Sequence, residues 1–345
     1  AMKNTHPGLT FVSSGQSDLR ALLASARTPS HYSASILPRK SPMTPYIMRL
    51  PDWLAKACIV ALWSIPTLAQ DYADVEIETR QIRDGVYVLF GEGGNIGLAT
   101  GPEATFLVDD DYAPLAPRVR AAIAAVTARP VDFLVNTHWH GDHAGGNEAF
   151  AEAGALVIAH DNVRARMATK QEIAAFNRSV PPSPPAALPV VTFSESTTFH
   201  MNGDTVSAVH APHAHTDGDA IVHWEKANII HMGDTFFNGT YPFIDLSSGG
   251  NVRGMIAAAE TALAIANAET VVIPGHGPLA AREDLRAYHE MLVTISDRVR
   301  EGIERGKSLA EIQALRPTAD HDGRLDGSFI SGDRFTEFVY QSLAP

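Results

Sequence analysis

A short apolar run, VDFLV, carries the chain into NTHWHGDHAGGN, where His138, His140, Asp142 and His143 lie almost side by side. Imidazoles packed this densely need a common partner, and a metal ion is the partner that suits them. Zinc takes neutral imidazole nitrogen and carboxylate oxygen at roughly 2.0 to 2.2 Å, and a catalytic ion keeps one position open. Extended backbone repeats every two residues, so His138 and His140 can aim the same way. Gly141 then lets the chain turn, and Asp142 and His143 can face a second ion. The cluster therefore belongs at the C-terminal exit of a strand, where catalytic groups collect in folds that alternate strand and helix.

The rest of the chain keeps that alternation. VYVLF, IGLAT and TFLVDD read as strands joined by glycine turns, and PLAPRVRAAIAAVTARP reads as a helix. ALVIAH is a further strand, NVRARMATKQEIAAFN is read as one helix, and VPPSPPAALP is a proline-rich loop. The runs VVTF, TVSAVHA, AIVHW and NIIHMGD follow, then a helical VRGMIAAAETALAIA and the strand that opens TVVIPGHG. A long amphipathic helix, REDLRAYHEMLVTISDRVREGIERG, precedes SLAEIQAL, where Ser308 and Glu311 have capping-box spacing; RFTEFVYQSL closes the chain as a last helix. Three further strand exits carry candidate ligands: His215 in HAPHAHTDGD, Asp234 in HMGDTFF and His276 in IPGHGP. His213 competes with His215, and Asp234 and His276 also suit plain turn or cap positions. His160, His210, His223 and His231 lie in or beside strand patterns and read as structural.

On these residues the chain resembles the metallo-β-lactamase superfamily. His138 to His143 match its His-x-His-x-Asp-His motif, and His215, Asp234 and His276 match its later ligands, over a resemblance running from about Gln81 to Pro345. The resemblance implies an α+β fold, a four-layer αββα sandwich of two mixed sheets, with two Zn2+ per chain. By the same resemblance His138, His140 and His215 hold the first ion and Asp142, His143 and His276 the second. Asp234 stands where many of the family's hydrolases have a bridging aspartate and two subclasses of zinc β-lactamase have cysteine. Asp109, ending TFLVDD, matches an aspartate that supports the ligands from behind, and Asp142 doubles as the catalytic proton carrier.

The implied activity is hydrolysis by attack of a metal-bridging hydroxide on an acyl group. Opening of β-lactam rings, penicillins above all, is the main expectation, with lactone or other ester hydrolysis as the alternative; a non-hydrolytic metal-binding member or a single-iron redox member is a third reading. FGEGGN resembles a substrate flap and is equally an ordinary hairpin turn. TFFNGTYPF, beginning just after Asp234, offers Asn238 and Tyr241 but no lysine for a substrate carboxylate, so penicillins are expected to bind weakly.

The segment from about 43 to 70 reads as a signal peptide: basic residues, then ACIVALWSIPTLA, then small residues before QDYADV. That apolar run is shorter than the ~20 residues a spanning helix needs, and a buried N-terminal helix is the competing reading. Residues 1–70 are thus expected to be a leader and 71–345 a single domain with C-terminal helices, located in the periplasm or secreted, with no stable membrane association after processing. The one cysteine, Cys58, lies inside the leader. A formal charge of -12 leaves no basic footprint for nucleic acid, so a small molecule is the expected partner.

Overall fold

The computed structural model describes residues 72–325 and 329–344. The expected signal segment near 43–70 and Cys58 lie outside the described residues. Among the described residues no helix is long and apolar enough to cross a membrane.

Four antiparallel strands open the fold: β1 (Glu78–Arg83), β2 (Val86–Phe90), β3 (Ile96–Thr100) and β4 (Thr105–Val108). Helix α1 (Ala116–Val126) leads to β5 (Phe133–Val135), the short helices α2 (Gly141–Ala144) and α3 (Asn147–Glu152), then β6 (Leu156–His160) and α4 (Asp161–Met167). A hairpin, β7 (Gln171–Ile173) and β8 (Arg178–Val180), precedes β9 (Val191–Phe193). The second half runs β10 (Ser196–Met201), β11 (Asp204–Ala211), β12 (Asp219–Trp224), β13 (Ile229–His231), α5 (Val252–Ile265), β14 (Val271–Ile273) and β15 (Ala280–Ala281). Helices α6 (Arg282–Glu304), α7 (Leu309–Ala314), α8 (Ala319–Leu325) and α9 (Gly332–Leu343) end it.

The strands form a seven-stranded sheet, β1-β2-β3-β4-β5-β6-β9, and a six-stranded sheet, β10-β11-β12-β13-β14-β15, with β7-β8 apart. Period-two alternation sorts their side chains into layers. In β4, Phe106 and Val108 face the second sheet, where they meet Val222 and Trp224, while Leu107 faces outward with Val119 and Ile123 of α1. In β14, Val271 and Ile273 point between the sheets and Val272 packs with α5 and α6. Each fully buried side chain of this kind contributes roughly 1.5 to 3 kcal/mol. The result is the expected α+β sandwich: two mixed sheets back to back, α1 and α3 outside one, α5, α6 and α9 outside the other.

One expected helix is shorter than its sequence suggests. NVRARMATKQEIAAFN is helical only to Met167, and the remainder makes β7 and a single 3-10 turn at Ala174–Phe176. Arg166 grips both carboxylate oxygens of Asp217 at 2.7 Å and also holds Gln171, while the Thr169 hydroxyl donates to the carbonyl of Ala165. Those contacts stop the helix, and Asn177, left-handed at φ 49, turns the chain into β8. The capping box at Ser308 and Glu311 forms as its spacing suggested.

Candidate metal centre

Strands β4, β5, β6 and β9 run parallel in the first sheet. In the second, β13 and β14 are parallel, and β11 shares their direction because two antiparallel steps separate it from β13. Residues after β5, β11, β13 and β14 supply His138 to His143, His215, Asp234 and His276, and the structure brings these side chains into two adjoining sets. One is His138, His140, His215 and Asp234; the other is Asp142, His143 and His276. Within each set the candidate ligand atoms lie within 4.8 Å of one another.

Four imidazoles have their outer nitrogen occupied, which decides the nitrogen left facing inward. His140 Nε2 donates to Asp245 Oδ2 at 3.1 Å, and His215 Nδ1 to the carbonyl of Phe243 at 2.8 Å. His143 Nδ1 donates to Asp109 Oδ2 at 2.8 Å. The Thr137 hydroxyl donates to that same Asp109 oxygen and accepts from His138 Nδ1 at 3.1 Å. His138 Nε2, His140 Nδ1, His143 Nε2 and His215 Nε2 are therefore the inward atoms.

These inward atoms crowd together. His140 Nδ1 lies 2.9 Å from His215 Nε2 and 3.1 Å from His138 Nε2, and His143 Nε2 lies 3.3 Å from His276 Nε2. Lone pairs at such separations repel unless a proton or cation sits among them. Asp234 spans both sets: Oδ1 is 3.1 Å from His143 and 3.4 Å from His276, and Oδ2 is 3.5 Å from His215 and 3.9 Å from His138. Its Oδ1 is buried and accepts no hydrogen bond. A buried orphan oxygen ringed by imidazoles fits a cation, and the nitrogen and oxygen donor set is of the kind zinc takes.

The electrostatics divide in the same way. Burial holds the His138 imidazole well below its ordinary range and that of His215 at about 4, so both are neutral donors. Burial opposes charge on His276 too, but Asp234 and Asp142 lift it to about 9. His143 is likewise lifted against its own burial by Asp234, Asp142 and Asp109. For Asp234 and Asp142 burial works upward, yet the neighbouring imidazoles outweigh it and keep both carboxyls below the usual range. Two carboxylates in this space call for positive charge.

Several side chains that position the site carry no local sequence signal. Asp245 is one; Asn95 is another, its amide donating to the carbonyls of Pro274 and Gly277, both at 2.9 Å, and so holding the loop of His276. The FGEGGN turn is pinned rather than free-standing, since Gly94 N donates to the Asp142 carbonyl and Gly93 N to Asp111. Asp109 and Asp111 take left-handed φ of 63 and 64, a conformation that costs about 1 to 3 kcal/mol and in which Asp109 reaches Thr137 and His143 together. Of the triplet Asp109-Asp110-Asp111 only Asp109 is marked in sequence, by its place at a strand end; Asp110 accepts from Gly146 N beneath α3.

Other candidates are set aside by their surroundings. His213 is exposed, with Nδ1 on the Gly249 carbonyl, and His231 is buried between the Asn95 carbonyl and Gly233 N. Tyr241, considered for a substrate carboxylate, is fully buried against Phe335 with its hydroxyl on Asp322 and Thr318, and Asn238 donates to the Pro278 carbonyl. Neither lines the cavity over the site.

Imidazoles and carboxylates gathered at one edge of an αββα sandwich define a class, the metallohydrolase fold. Within that class the chain belongs to the metallo-beta-lactamase superfamily, whose family model matches residues 89–276. Among curated proteins it is similar to a hydroxyacylglutathione hydrolase of Polaromonas sp., 28% identical over 193 residues, 53% of this chain and 66% of the relative. A second relative of that name, from Erythrobacter litoralis, is 33% identical over 108 residues, 31% of this chain and 35% of the relative. The chain thus spans between 35% and 66% of the length of these relatives. Among solved structures it is similar to a metallo-beta-lactamase from Pontibacter korlensis, with TM-score 0.52, 20% identity and coverage of 63% of this chain and 99% of that one. A stereoselective inverting sec-alkylsulfatase from Pseudomonas sp. aligns with TM-score 0.57 at 15% identity, covering 77% of this chain and 50% of that one. At such identities the structural likeness shows the fold.

Proposed function

We propose that this protein is a dizinc hydrolase of esters or thioesters. The observation that carries the reading is the pair of adjoining ligand sets with Asp234 spanning them. The names of the curated relatives, which are thioester hydrolases, favour the ester alternative over the β-lactam opening expected from sequence.

His138, His140 and His215 would hold one ion, Asp142, His143 and His276 the other, with Asp234 between them. Zinc, when bound, lowers the pKa of a coordinated water to about 7 and polarises an acyl carbonyl. The remaining tasks fall to the chain. Asp142, with its side chain 22% exposed, lies on the cavity floor and can take the proton of the attacking water and return it to the departing sulfur or oxygen. Asp245 and Asp109 fix imidazole orientation, and Trp139, Phe237 and Phe243 supply an apolar wall that keeps bulk water from the reacting carbonyl.

The test is metal analysis together with turnover of an S-acyl thioester, a lactone, an aryl ester and benzylpenicillin, before and after chelation. About two zinc ions per chain and zinc-restored thioester or ester hydrolysis is the expected result. Turnover confined to penicillin would return the substrate to the β-lactam class, and one iron per chain would overturn the zinc assignment.

A further inference from the structure

The cavity over the ligand floor, of about 420 Å³, is chemically lopsided. Its far wall is the β7–β8 hairpin, which among the described residues makes no hydrogen bond or ion pair to a ligand residue. Phe176, in the turn of that hairpin, is 42% exposed and Phe329 is 62% exposed, yet their rings pack at 5.2 Å. Phe176 also lies 4.8 Å from the buried ring of Phe243. Two half-open phenylalanines resting on a buried third make an aromatic shelf facing the cavity, and such a shelf gains by covering a flat apolar group.

Arg178 stands two residues further on. The left-handed Asn177 reverses the chain between them, so that Phe176 and Arg178 line the same cavity. Among the described residues the Arg178 guanidinium makes no ion pair and no side-chain hydrogen bond. Apart from the histidines of the floor it is the one cationic side chain on the lining, in a protein of formal charge -12. A cation held at a cavity mouth without a partner is suited to an anion that arrives with the ligand. One cation matches one carboxylate. Glutathione brings a second carboxylate, for which the lining offers no further cation away from the floor.

We infer that the β7–β8 hairpin selects the substrate, an ester or thioester bearing one aromatic group, received by Phe176 and Phe329, and one carboxylate, paired by Arg178. The identity of the cleaved bond rests on the hydrolase reading above; the groups recognised do not.

The test is calorimetric binding of an uncleavable probe, 3-(benzylsulfanyl)propanoate, and of its primary amide, to the zinc-loaded protein. The acid should bind about fivefold more tightly than the amide, the scale of an exposed ion pair, and Arg178→Gln should erase that difference. Phe176→Ala should weaken the benzyl probe while leaving 3-(methylsulfanyl)propanoate unchanged, and S-benzylglutathione should bind no more tightly than the smaller acid. Both altered side chains lie on the cavity lining away from the ligands, so metal content should be unchanged. If Arg178→Gln keeps the discrimination, the carboxylate sits on the metal and the inference is overturned; equal weakening of benzyl and methyl probes by Phe176→Ala overturns the aromatic shelf. Thioester turnover measured on the same preparation separates the two claims. No turnover with Arg178-dependent discrimination removes the hydrolase reading alone, and turnover without discrimination removes the recognition alone.

Discussion

Asp245 accepts the Nε2 proton of His140 across 3.1 Å, and that one contact decides that His140 presents Nδ1, while His138 and His215 present Nε2. Asp245 comes from the loop after β13, more than a hundred residues from His140, and it also caps a 3-10 turn through Ser248 N. Replacing it with Asn keeps the cap but weakens the hold on the ring. Metal retention by the set containing His140 should fall by about tenfold, the lower end for partners of this kind. Competition with a chromophoric chelator reads this directly, and an unchanged affinity would show that the contact does not orient the ring.

Asp234→Asn should release metal unevenly. Its Oδ1 lies 3.1 and 3.4 Å from His143 and His276, nearer than Oδ2 lies to His215 and His138, so the second set loses more when the charge goes. Stoichiometry after dialysis should drop towards one ion per chain. Retention of both ions at native affinity removes Asp234 from the ligands. His231→Gln, by contrast, should leave metal content as it is.

Gly94 is required by the ring it faces. A Cβ there would come within 2.1 Å of His143 Cε1, and the ring cannot retreat because Asp109 holds its other side. Gly94→Ala should cost about 1 to 3 kcal/mol of stability, as overpacking does, and depress metal binding with every ligand still present. A variant with wild-type melting temperature and full metal content would contradict this packing.

A pH effect is expected outside the two ligand sets. His210 stacks on His160 at 3.7 Å between ring centroids, and burial, with His160 adding to it, holds the His210 imidazole below its ordinary 6.5. The unfolded chain therefore takes up this proton first. The stability that neutral His210 contributes is complete above pH 6.5 and is lost as pH falls from there through the depressed folded value. Urea unfolding between pH 7.5 and 5 should show a steeper decline for wild type than for His210→Gln. Parallel declines would mean that His210 does not titrate differently on folding.

Much of this architecture is legible in the sequence because short strands announce themselves by alternation, and residues placed just beyond them must share an edge if the strands are parallel. His138, His215 and His276 are each marked as candidates by such an exit, and the resemblance to the superfamily groups them. What stays hidden depends on distance between segments rather than on period. Asn95 reaches Pro274 and Asp245 reaches His140 only because the fold juxtaposes them. The misread helix over 162–177 is of the same kind, for Arg166 finds Asp217 from a loop some fifty residues away. Arg178 escaped for that reason too: nothing local distinguishes it from a solvated surface arginine, and only the hairpin turns it towards the cavity.

The first ligand set takes His138 and His140 from one sheet and His215 from the other, so its aperture is the gap between the sheets. That gap is propped from within by the edge-on contact of Phe106 with Trp224, 6.0 Å between ring centres. The sandwich is thereby a caliper, its jaws set by hydrocarbon packing between the sheets. Shaving Phe106 to Leu should therefore shift selectivity among divalent ions without altering a single donor atom, and competition between zinc and a larger divalent ion for the two proteins checks this.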